Sequence, residues 1–75
     1  MSKTMDRFGA KLKTLRQQQG FTTRQLGKLL GVTGSYVSKM ERGDKTPNVA
    51  MVLKISRLFG VSTDVLIKDE LELED

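Results

Sequence analysis

Glycine stands at positions 20, 31, 43 and 60, and no stretch between these glycines exceeds sixteen residues. A helix most readily ends in a left-handed residue, and glycine adopts that conformation without a Cβ penalty. Apolar residues fall at helical spacing inside each stretch, so the chain is cut into short amphipathic helices. That pattern leaves no room for a bilayer-spanning helix. The longest unbroken apolar run, residues 49 to 53, is far too short for a membrane span or a signal-peptide core.

Local signals set the expected boundaries. A first helix over Met5 to Gln19 places Phe8, Leu12 and Leu15 on one stripe. Thr22 and Gln25 have capping-box spacing, with Phe21 just outside the cap, and predict a second helix over Thr23 to Leu30 with Leu26, Leu29 and Leu30 inward. Thr33 caps a third helix, Gly34 to Arg42, which buries Val37 and Met40. Asn48 caps a fourth, Val49 to Phe59, whose inward candidates are Val49, Val52, Leu53, Ile55, Leu58 and Phe59. Ser62 caps a fifth, with Asp64 in its first turn. The alternation Glu70-Leu71-Glu72-Leu73-Glu74 suits either a strand or a ragged helical extension. The expectation is an all-α domain of five short helices over residues 1–68, with an acidic tail over 69–75.

With 75 residues and neither cysteine nor histidine, the chain has no disulfide, no cysteine zinc site and no histidine base. No metal or cofactor is expected, and no phosphate loop or nucleophile–base pair supports an enzyme. Residues 1–60 carry twelve cations against Asp6, Glu41 and Asp44, a net +9, while residues 61–75 carry −5. The total of +4 therefore averages a cationic body with an acidic tail. Such a body suits a polyanion, and a cytoplasmic setting without a membrane contact is expected.

The sharper signal lies between residues 23 and 42. Leu26 and Leu30 must be apolar to seat the second helix, and Gly27 must be small where the third helix crosses. Gly31 must tolerate positive φ, and Val32, Val37 and Met40 must pin the turn and the third helix. All seven requirements of a helix-turn-helix are met. With the phrases L-G-K-L-L-G-V, S-Y-V-S-K-M-E-R-G and T-P-N in order, residues 8–67 resemble the Xre/Cro-type helix-turn-helix family of phage and bacterial repressors.

The resemblance implies a homodimer bound to double-stranded DNA at a palindromic operator, acting as a transcriptional regulator. It implies base contacts from Thr33, Gly34, Ser35, Ser38 and Lys39 on the third helix. Lys39 suits guanine O6 and N7, and Thr33 offers a methyl group to thymine. Where many relatives carry Arg or Gln this chain has Gly34, so one base reader is missing and DNA shape and water carry more. Phosphate contacts fall to Thr22, Thr23, Tyr36, Arg42, Lys45 and Asn48, whereas Arg24 and Lys28 read as solvated surface. Arg16 and Glu41 match a structural ion pair joining the first helix to the third. Val65, Ile67, Leu71 and Leu73 are the dimer-interface candidates, and Val61 and Leu66 close the monomer core. The alternative reading is an antitoxin-like module that sequesters a protein partner through the acidic tail.

Overall fold

A computed structural model describes residues 7–69, 71 and 73. Five helices follow in order: α1 (Phe8–Gln18), α2 (Thr23–Leu30), α3 (Gly34–Arg42), α4 (Val49–Phe59) and α5 (Thr63–Ile67). The expected start of the first helix at Met5 lies outside the described residues, and Arg7 is the residue flanking α1. Leu71 and Leu73 belong to no helix or strand, while Glu70, Glu72 and Glu74 of the alternating segment lie outside the described residues.

Side-chain caps set the helix starts. The Thr22 hydroxyl accepts from the Gln25 amide at 3.1 Å, and the Gln25 side chain accepts from the Thr22 amide at 2.8 Å. Thr33, Asn48 and Ser62 each accept from an amide three residues on. Each such cap is worth about 1 kcal/mol relative to alanine, enough to decide where an eight- or nine-residue helix begins. Gly31, with φ 79°, turns the chain between α2 and α3 through a conformation that β-substituted residues rarely adopt.

Phe8, Leu12 and Leu15 of α1 meet Leu26 and Leu30 of α2, Val37 and Met40 of α3, Val52 and Ile55 of α4, and Leu66 of α5 in one core. Val61 and Phe59 pack partly against it, and the Phe21 and Phe59 rings lie 6.5 Å apart. Four residues expected inward are not. Leu29 is 54% and Val49 75% exposed, and Leu53 and Leu58 are also exposed. On α2 and α4 the apolar residues span a wider arc than the neighbouring helices cover.

Glycines set how closely the helices approach. A Cβ at Gly27 would stand 2.7 Å from the Val32 carbonyl oxygen and 2.8 Å from the Thr33 carbonyl carbon. The entry to α3 thus rests directly on α2. Gly9 does the same for the far end of α3: a Cβ there would meet the Met40 oxygen at 2.7 Å and the Glu41 oxygen closer still. Glycine in a helix interior costs about 1 kcal/mol against alanine, and at Gly27 backbone contact overrides that preference.

Candidate nucleic-acid interface

α3 is held by both ends and from behind, which leaves one face outward. Val37 and Met40 are buried, whereas Thr33, Ser35 and Lys39 are exposed and Ser38 is half-buried. Gly34 differs from the other proposed base readers. Its missing Cβ points to α2, 3.0 Å from both the Cα and the amide nitrogen of Arg24. Position 34 therefore faces the first turn of α2 and offers no side chain to a ligand.

A shallow cleft runs between α2 and α3. Thr23, Arg24 and Lys28 line one wall, and Val32, Thr33, Gly34, Ser35 and Ser38 line the other. Every functional group in this lining is a cation or a neutral hydrogen-bonding group. Arg24 and Lys28, read from sequence as solvated surface, are exposed and also form part of this wall. At its N-terminal end, the cap occupies the Gln25 amide and leaves those of Thr23 and Arg24 without an acceptor among the described residues. Those amides and the helix dipole favour an anion.

Arg42 ends α3, a helix of nine residues and about 13 Å, and Lys45 follows in the loop beyond it. Lys39 and Arg42 occupy its last turn, where the dipole favours cations. Arg42 Nε lies 3.1 Å from Asp44 Oδ2 in a largely exposed pair, weak enough for a phosphate to displace the carboxylate. Asn48 Oδ1 is engaged by the Met51 amide, and Tyr36 packs partly on the core.

The hold on α3 from behind includes an ion pair. Arg16 Nε donates to Glu41 Oε2 at 2.7 Å and Nη2 to Oε1 at 3.1 Å, with the side chains 13% and 7% exposed. The third donor, Nη1, reaches the Phe21 carbonyl at 2.9 Å. Hydrogen bonding to Glu41 raises the Arg16 pKa above its ordinary value against the opposing desolvation, so the guanidinium stays charged.

Sequence reasoning missed two contacts of α1. Lys11 is 3% exposed, and its Nζ donates to the carbonyls of Val65 at 2.6 Å, Lys68 at 2.8 Å and Leu71 at 2.6 Å. Asp69 Oδ1 accepts from the amide of Arg7, the residue flanking α1, at 2.9 Å, which ties the start of a helix without its own side-chain cap to the tail. The described part of the tail is thereby folded against α1, with Leu73 partly packed on the core. Carbonyl partners have no residue-type signature, so no motif pointed to Lys11. Among the interface candidates, Ile67 lines an apolar groove with Val49, Val52, Leu53 and Pro47, Val65 is half-buried, and Leu71 is exposed. Among the described residues no acidic cluster is disposed to hold a metal, and no helix is long and apolar enough to cross a membrane.

Two apposed helices with a glycine turn, an outward polar face on the second and an acid-free cleft between them define a helix-turn-helix. The helix-turn-helix family profile matches residues 12–66, and the chain belongs to that family, in its Xre/Cro-type branch. The prophage-derived, uncharacterized helix-turn-helix transcriptional regulator YonR of Bacillus subtilis is 36% identical over 61 residues, covering 81% of this chain and 56% of that protein. The chain thus spans little more than half the length of that relative. The P22 c2 repressor, solved with a synthetic operator, superposes with a TM-score of 0.74 at 29% identity, covering 79% of this chain and 89% of that one. The N-terminal DNA-binding domain of SinR from Bacillus subtilis does so with 0.71 at 30% identity, over 80% and 88% of the two chains. The five-helix arrangement is that of the repressor DNA-binding domains.

Proposed function

We propose that this protein is a sequence-specific double-stranded DNA-binding transcriptional regulator that places α3 in the major groove. The observation carrying this reading is the acid-free cleft between α2 and α3, with two amides that lack an acceptor among the described residues at the start of α2 and Lys39 and Arg42 in the last turn of α3. Thr33, Ser35, Ser38 and Lys39 meet base edges, with Lys39 the long donor for guanine. Thr22, Thr23, Tyr36, Arg42, Lys45 and Asn48 position the duplex through its phosphates. Gly34 contributes by admitting close approach to α2 rather than by reading a base.

A homodimer on a palindromic operator completes the proposal. Val49, Leu53 and Ile67 form an apolar groove across α4 and α5 that the monomer does not cover, and a second copy is the fitting occupant. Half-sites then lie about 34 Å apart. The test is selection of bound duplexes from a random pool, followed by gel shifts at several salt concentrations. Affinity is expected to fall steeply with salt. Lys39→Ala binding the selected duplex as tightly and as selectively as the parent overturns the recognition-helix assignment. A monomer at high concentration, with one half-site bound per chain, overturns the dimer.

A further inference from the structure

Gly34 brings no side chain to the start of α3, and the backbone it packs against is that of Arg24. The missing Cβ of Gly34 would stand 3.0 Å from the Arg24 Cα, so the arginine side chain leaves its backbone next to the first residue of α3. Arg24 is exposed, its guanidinium has no partner among the described residues, and it lines the cleft with Ser35 and Ser38.

Its position is electrostatically poor for the isolated protein. Arg24 occupies the first turn of α2, where the helix dipole disfavours a cation, and that turn holds no acidic residue to compensate. Lys28 lies four residues on and on the same helix face, where like charges repel. An anion or a polar base edge brought into the cleft relieves both costs. Of the two cations Arg24 is the nearer to the N-terminal end of α3, the end that enters deepest in a helix-turn-helix. Its planar fork of donors matches guanine O6 and N7.

We infer that Arg24 is a specificity-determining base reader, reaching from α2 across Gly34 to a guanine in each half-site in place of the side chain that α3 lacks. This rests on the major-groove placement of α3 proposed above. Lys28, one turn further along α2, contacts phosphate.

Random duplex pools selected with the full chain and with Arg24→Ala, Arg24→Gln and Lys39→Ala test it, followed by gel shifts on the selected duplex and its single-base variants. With Arg24→Ala, discrimination at one guanine position per half-site is expected to fall roughly 5- to 100-fold, with preferences elsewhere intact. Arg24→Gln is expected to move that preference towards adenine. Thermal melting of both variants should match or slightly exceed the parent, because the side chain is exposed, has no partner among the described residues and carries a charge that is unfavourable where it stands. A uniform loss of affinity with an unchanged preference, and a salt slope lower by about one, makes Arg24 a phosphate contact and overturns the inference. Unchanged binding overturns it too, leaving Arg24 as solvated surface. If Lys39→Ala alters selectivity while Arg24→Ala does not, only this inference falls. If no sequence is enriched with the parent chain, the major-groove reading and the inference fall together.

Discussion

Two cations of α1 are withdrawn from solvent and satisfied in opposite ways. Arg16 faces α3 and meets a carboxylate in a two-pronged ion pair. Lys11 faces α5 and the tail, and all three of its donors go to neutral carbonyl oxygens. Five residues of helix separate them by about 140°, so each serves a different side of α1. An ion pair fails badly when one charge is removed, because the other remains buried alone. A lysine on carbonyls fails more softly, since the orphaned acceptors are neutral.

That contrast orders the expected effects. Glu41→Ala strands the Arg16 guanidinium and should cost about 3–5 kcal/mol by urea denaturation, and a loss no larger than that of Lys11→Met would break the comparison. Lys11→Met keeps the apolar stem and removes the donors; a loss of about 2–3 kcal/mol is expected, with amide exchange accelerated in α5 before α3. Gly9→Ala forces a methyl group onto the Met40 and Glu41 carbonyls and should cost about 1–3 kcal/mol, concentrated at the join of α1 and α3. Because the folded-state pKa of Arg16 is raised, its stabilisation is complete below the unfolded value and is lost only as pH rises through the folded one. That window lies above arginine's ordinary range, so the urea-midpoint gap between parent and Glu41→Ala should be the same at pH 7 and pH 10. Asp44→Asn is the smallest change: stability should move by less than about 0.5 kcal/mol, while Arg42 is released and gel shifts show tighter binding at low salt.

The same contrast explains what could be read from the chain beforehand. The bounds of α2, α3 and α4 follow from a capping side chain at one end and a glycine at the other, both local signals. Arg16 and Glu41 were identifiable because both partners are side chains in a recurring pattern. Lys11 and Gly9 were not, since their partners are backbone atoms 30 or more residues away in sequence. Asp69 looked like one more tail charge because its acceptor role depends on where α5 delivers the chain. Leu29, Val49, Leu53 and Leu58 looked inward because periodicity gives an apolar arc, whereas tertiary packing decides how much of it is covered. In the cleft, Gly34 was read for the side chain it lacks, and its approach to Arg24 became visible only with both helices in place.

The seating of α3 lies behind it and at its ends, on Gly27, Gly9 and the Arg16–Glu41 pair. Almost nothing that holds the helix is shared with the face it turns outward. Ser35 and Lys39 are therefore free to drift to other polar residues while the scaffold stays intact. With the base contacts proposed above, new binding preferences arise on this domain by single substitutions, without first compromising the fold that displays them.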